Sequence, residues 1–165
     1  MHENLSVRSA AVADVEAIQS VADAAWHAAY DDVLGTETVD EMLAEGYDEA
    51  VLREMIELDD VGLFVAVDDG VVGYASCGRT DTAGLGDLDM YAHPDHWGSG
   101  VGEALLERGR AHLAGLGVER VRDEVLVEND VGIAFYDKHF ERVGTRQVEI
   151  AGDAYEVAVY ELDVE

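Results

Sequence analysis

Between residues 14 and 30, apolar side chains recur at the three- and four-residue spacing of one helical face: Val15, Ile18, Ala22, Ala25 and Ala29. Asp14 stands in front of them and is predicted to cap that helix. Gly35-Thr36 interrupts the pattern, and residues 36–58 predict two short helices broken near Gly46. Elsewhere the period falls to two, or the apolar run is continuous. Residues 5–10 predict a short first strand and "GLFVAV" (62–67) a second. Asp69-Gly70 predicts a hairpin turn into a return strand over 71–80. A further strand is expected at 85–93, and another at 119–127, where Val121, Val125 and Val127 lie among polar residues. Helical spacing returns from Gly100 to roughly Leu116, and again after Asn129, a predicted cap, to roughly His139. Two last strands, 141–150 and 154–162, flank the turn at Ala151-Gly152-Asp153. The order β-αα-β-β-β-α-β-α-β-β predicts one α/β domain over residues 1–165. Its mixed central sheet would hold about seven strands flanked by about four helices.

Charge changes the picture most. The 165 residues carry 37 Asp and Glu against 10 Lys and Arg, a net charge of −27. Such a chain repels nucleic-acid phosphates, so no nucleic-acid partner is expected. The acids are spread along the whole sequence. That favours solubility in concentrated salt, a high-salt-adapted (halophilic) source, over a local acidic surface for a cationic partner. No apolar stretch is long enough for a membrane span, and the first residues lack a basic-then-apolar leader. Cys77 is the single cysteine, which excludes an intramolecular disulfide. A cytoplasmic location is the expectation.

The candidate chemistry begins at "HPDHWGSGVGEALLERGRAHLA" (93–114), where Gly98, Gly100 and Gly102 alternate just before a helix. The first N–H groups of a helix lack partners in the chain, and glycines let an anion approach them. A dinucleotide fingerprint, GxGxxG after the first strand, fits neither the alternation nor the position. Further on, "EVLVENDVGIAFYDK" puts Asn129 at a strand end and Tyr136 seven residues later on the next helix.

In this combination the chain resembles the GNAT superfamily of N-acetyltransferases, over nearly its whole length. That family shows a strand, then Q/R-x-x-G-x-G/A opening a helix, then a strand ending in Asn and a helix carrying Tyr. The resemblance implies the GNAT acyl-CoA N-acyltransferase fold, acetyl-CoA as cosubstrate, and transfer of its acetyl group directly to a primary amine. Gly98, Ser99, Gly100, Val101, Gly102 and Glu103 would then bind the pyrophosphate through backbone N–H groups. Met90, Tyr91 and Ala92 would line the pantetheine arm where two parallel strands splay, and Asn129 would touch the cofactor. Tyr136 would protonate the departing thiolate. Glu124, five residues before Asn129, is the leading general base, with Asp87 and Asp89 next.

Two departures from the family pattern stand out. Trp97 replaces the usual Gln or Arg and is expected to pack beside the loop. Tyr136-Asp137-Lys138-His139-Phe140 is one residue shorter than Tyr-x-x-x-Gly-Phe and lacks its glycine. "HPDH" has no helical zinc spacing, so no metal is expected, and His93 and His96 read as turn residues. Residues from Trp26 to Leu58 would wall the acceptor groove, with Trp26, His27, Tyr30 and Tyr47 as lining candidates. The acceptor would be an amine, cationic if the acidic surface recruits it; small amine, protein N-terminus and lysine side chain all stay open, as does a homodimer. The rival readings are a non-catalytic acyl-CoA-binding module and a nucleotide-binding oxidoreductase.

Overall fold

The computed structural model describes residues 5–164; residues 1–4 and 165, which the single-domain expectation included, lie outside the described residues. The strands are β1 (Ser6–Ser9), β2 (Gly62–Val67), β3 (Val71–Arg79), β4 (Leu85–Ala92), β5 (Arg120–Leu126), β6 (Glu141–Ile150) and β7 (Asp153–Asp163). They form one seven-stranded sheet in the order β1-β2-β3-β4-β5-β7-β6. Among the described residues only β4 and β5 run parallel. Five α-helices flank it where about four were expected: α1 (Val15–Leu34), α2 (Thr36–Gly46), α3 (Glu49–Glu57), α4 (Val101–Gly115) and α5 (Asp130–His139). Gly35, at φ 88°, separates α1 from α2, and Tyr47-Asp48 separates α2 from α3.

The continuous apolar run of β2 follows from burial on both faces. Leu63 and Val65 join Val15, Ile18, Ala22, Leu52 and Tyr74 beneath α1 and α3. Phe64 and Ala66 join Ala75, Leu88, Leu105, Leu113 and Val121 on the opposite face, beneath α4. No helix among the described residues is long and apolar enough to cross a membrane. Asp14 does not cap α1 with its side chain. Its carboxylate instead accepts the Ala11 N–H at 2.8 Å and a paired contact from Arg8, at 2.7 and 2.9 Å. The guanidinium outweighs the desolvation and holds the Asp14 pKa below the usual carboxylate range.

Two features position the site. Gly109 lets α4 lie close on the sheet, since a Cβ there would meet Leu88 Cδ1 at 2.6 Å. The parallel β4–β5 pairing lasts only for Leu85↔Arg120 and Gly86↔Val121, after which the strands part. The N-terminus of α4 thus stands over a gap in the middle of the sheet.

Candidate active site

A cleft of about 520 Å³ runs from the α4 N-terminus into the gap between β4 and β5. It brings together Met90, Tyr91, Ala92, Gly98, Gly100, Val101, Gly102, Glu103, Glu124, Asn129 and Tyr136. Ser99 is the expected residue that does not line it; its hydroxyl donates back to the His96 carbonyl. The three alternating glycines divide into two jobs. Gly98 (φ 77°) and Gly100 (φ 89°) take left-handed conformations that turn the chain into the helix. Gly102 makes room for a neighbour, because a Cβ there would meet Phe135 Cε1 of α5 at 2.7 Å. The Gly98, Gly100, Val101 and Gly102 N–H groups find no acceptor among the described residues. They and the positive end of the helix dipole form an anion cradle.

Trp97 packs beside this loop, as its place in the sequence suggested, and makes a specific bond: Nε1 donates to the Ala92 carbonyl at 2.9 Å. That bond holds the end of β4, where the pantetheine wall is expected. In β4, alternate residues turn their main chain toward β3 or toward the gap. Leu88 faces the gap, since its N–H reaches Asp123 Oδ1 at 3.2 Å and its carbonyl lies 3.3 Å from Tyr136 Oη. Met90, two residues on, therefore offers its main chain to the cleft. Tyr91 gives its main chain to β3; Ala92, like Met90, turns its N–H toward the gap, while its carbonyl is taken by Trp97.

Asn129 is the cap of α5, with Oδ1 accepting the Gly132 N–H at 3.0 Å, and its Nδ2 donates to Tyr30 Oη at 3.3 Å. Both of its polar ends are thus engaged while it lines the cleft. Tyr136 is buried beneath the gap, with Oη 3.2 Å from Asp123 Oδ2. Burial first, then the Asp123 and Asp89 charges, push its pKa well above 10, so the hydroxyl stays protonated at neutral pH. The shortened helix exit brings Phe140 straight onto Tyr136, ring centroids 4.5 Å apart. Lys138 and His139 lie 3.8 and 3.0 Å from the Glu103 carboxylate. Burial opposes the Glu103 charge, but the His139 hydrogen bond and Lys138 outweigh it and hold the pKa below normal.

The acids differ sharply. Glu124 faces the cleft, but the Arg146 guanidinium grips both its oxygens, Nη2 at 2.7 Å from one. Asp87 and Asp89 have no cationic partner among the described residues. Asp89 is open to solvent through the cleft yet walled by protein on its other sides. Desolvation first, then the Asp87 charge, push its pKa up to about 6. Desolvation also raises Asp87. Beside them runs a row of touching aromatics. Trp26 contacts Tyr30, Tyr47 and Tyr91 at centroid distances of 5.1, 5.8 and 5.4 Å, and Tyr74 bridges Tyr47 and Tyr91. Tyr30 lines the cleft; Trp26 and Tyr47 stand behind it. His27 turns away, to Asp31 and Asp40 at 2.6 and 2.8 Å. Sequence reasoning missed Asp123, whose place in an alternating strand suggested a core position and whose charge gave no sign of its partners.

A sequence model of the acetyltransferase (GNAT) family matches residues 22–141. No curated protein sequence matches the chain. Among solved structures it is similar to PaiA N-acetyltransferase from Thermoplasma acidophilum in complex with coenzyme A. The TM-score is 0.84 at 21% identity, over 97% of this chain and 99% of that one. It is similar also to YncA, an acetyltransferase from Salmonella typhimurium with acetyl-CoA (TM-score 0.69, 24% identity, covering 99% and 95%). A third likeness is to ribosomal-protein-alanine N-acetyltransferase from Brucella melitensis (0.71, 22%, 96% and 99%). These likenesses concern the fold, whereas the family match spans most of the sequence, cradle and Tyr136 included; the chain belongs to the acetyltransferase (GNAT) family.

Proposed function

We propose that the protein moves the acetyl group of acetyl-CoA directly to the primary amine of a cationic acceptor. The observation that carries this reading is the polarity of the cleft. One end offers unpaired N–H groups to an anion, and the other offers Asp89, an acid without a counterion, with Asp87 two residues before it on β4. Solved relatives holding coenzyme A or acetyl-CoA support the cosubstrate. Its pyrophosphate belongs on the α4 cradle, and its pantetheine arm along Met90. The Met90 N–H then faces the thioester carbonyl and stabilises the charge that develops on that oxygen.

Asp89 takes a proton from the incoming ammonium group, a better base here than Glu124 because no guanidinium competes for it. The amine nitrogen bonds to the acetyl carbon, the C–S bond breaks, and Tyr136 gives its proton to the sulfur. The acidic surface, spread over the chain, is read as adaptation to a salt-rich cytoplasm.

A panel of amines of both charge types, offered with acetyl-CoA in molar salt, tests the reading through release of free thiol. Turnover is expected with cationic amines and not with anionic ones. Absence of thiol release across the panel, with acetyl-CoA bound, leaves the acyl-CoA-binding module instead. Asp89→Asn is expected to lower kcat/KM by ~10²-fold at neutral pH. In the wild type only the carboxylate accepts a proton, so the rate falls as pH drops through about 6. The variant loses that acid limb.

A further inference from the structure

Asp123 lies on the inward face of β5 between Val121 and Val125, 5% exposed, in a stretch otherwise given to core packing. It occupies the point where the β4–β5 ladder ends, and its side chain takes over one lost strand bond by accepting the Leu88 N–H on Oδ1. Its other oxygen, Oδ2, meets Tyr136 Oη at 3.2 Å, and Tyr136 Oη in turn lies 3.3 Å from the Leu88 carbonyl. Three oxygens therefore converge in a buried space, and the number of hydrogens among them decides what the tyrosine can do.

If Asp123 is a carboxylate, one hydrogen serves the three oxygens. The Tyr136 proton then goes to the carboxylate or to the Leu88 carbonyl, and both acceptors hold it away from an incoming sulfur. If Asp123 is a carboxylic acid, two hydrogens serve them. Its O–H donates to Tyr136 Oη, and the tyrosine proton is left with one neutral acceptor at 3.3 Å, the Leu88 carbonyl, from which it can turn into the cleft. We infer that Asp123 is the positioning residue for Tyr136: as an acid it releases the hydroxyl proton toward the sulfur, and as a carboxylate it withholds it.

The surroundings favour the acid form. The groups that act on Asp123 are Tyr136 from α5, bonded to it, Tyr160 from β7, directly paired across the ladder, and the charges of Asp89 and Asp87, whose side chains leave β4 on its other face. Tyr160 spends its own hydroxyl on Asp137. From α4 the same core receives Leu105 and Leu106, which carry no charge. Every charged neighbour is acidic, and no lysine or arginine among the described residues bonds to Asp123. Desolvation and the Asp89 charge raise its pKa well above the carboxylate range, against the pull of the Leu88 and Tyr136 hydrogen bonds.

The inference rests on the acetyl-transfer reading, and the proton balance closes within it. The C–S bond breaks, the sulfur takes the Tyr136 proton, and the Asp123 O–H steadies the tyrosinate. The proton given up by the newly acylated nitrogen then restores the tyrosine.

Two measurements on the full chain test it. The first is kcat against pH, with saturating acetyl-CoA and an amine that turns over, for the wild type and Asp123→Asn. The wild type is expected to lose kcat on the alkaline side as Asp123 ionises, below the pH at which Tyr136 itself does. The Asn amide donates to Tyr136 at every pH, so the ratio of variant to wild-type kcat rises by up to about tenfold per pH unit there. A merely structural carboxyl would lower kcat by one factor at all pH values. The same alkaline limb in both proteins overturns the inference. The second is a carboxyl-carbon NMR titration of the native chain, which needs no variant to fold and no turnover. Asp123 is expected to stay protonated through neutral pH; an ionised Asp123 at pH 7 overturns the inference. Thiol release from no amine at all would sink the acetyl-transfer reading instead, and the titration would still decide the state of Asp123.

Discussion

At the α4 end of the cleft, recognition is built from main chain: unpaired N–H groups, two left-handed glycines and a helix dipole. At the β4–β5 gap it is built from side chains, with Asp87, Asp89, Asp123 and Tyr136 held by packing rather than by local geometry. The first end is set by a short run of residues and repels cations. The second is assembled from distant strands and a helix, and attracts them. A single cleft that is positive at one end and negative at the other suits the proposed pair, an anionic cosubstrate and a cationic acceptor, and would orient both before any bond forms.

The comparison breaks most visibly at Tyr136. Tyr136→Phe keeps the ring contact with Phe140 and removes only the hydroxyl. It is expected to lower kcat by ~10²-fold while acetyl-CoA affinity, set at the other end, holds. Loss of affinity in calorimetry, with turnover per bound complex unchanged, would make the tyrosine structural. Gly100→Val is the opposite probe. A valine at φ 89° is strained by ~1–2 kcal/mol, and the cradle must shift to relieve it. Acetyl-CoA binding is expected to weaken by about tenfold or more, with the far end unaffected. Unchanged affinity in a folded variant would remove the loop from the site.

Salt sharpens the contrast for the molecule as a whole. At −27 the chain repels itself when unscreened, and the screening length shrinks from ~30 Å at 0.01 M to ~3 Å at 1 M salt. The thermal midpoint is expected to rise by several degrees from low to molar chloride; a flat or falling midpoint would revive a basic partner. The smallest effect belongs to Glu124→Gln. Exposed ion pairs contribute little, and Arg146 already occupies this carboxylate. A change in kcat/KM of roughly threefold or less at neutral pH is expected. A loss on the scale of Asp89→Asn would return the general base to Glu124.

The two ends were not equally legible in the sequence. Glycine spacing, a helix start and an Asn cap are local features, and each element they imply is present within a few residues. The cradle could be read because main-chain chemistry depends on neighbours in the chain. The gap was legible only through the resemblance, which pointed to Tyr136, Asp87 and Asp89 but not to Asp123, because it depends on which face of a strand meets which helix. Asp123 and Glu124 are adjacent in sequence and point to opposite sides of the sheet. One enters a dry pocket with Tyr136, and the other meets Arg146 at the surface. In a chain with 37 acids, no local pattern separates them. Trp97 is the intermediate case: its packing beside the loop was foreseeable, whereas its bond to Ala92 required the path of β4.

The chain has two tryptophans, and the fold puts them in unlike surroundings near opposite ends of the cleft. Trp97 is tied by its indole N–H to the end of β4, at the lip of the cradle. Trp26 lies in the aromatic row near Asp89, its indole nitrogen buried with no hydrogen-bond partner among the described residues. An indole in so dry a setting emits to the blue of one bonded at a solvated loop. The molecule therefore carries two native fluorophores of different colour. On the proposed reading, Trp97 is expected to report arrival of acetyl-CoA, and Trp26 arrival of the amine. The order in which they respond in a rapid-mixing trace gives the order of substrate binding without any label.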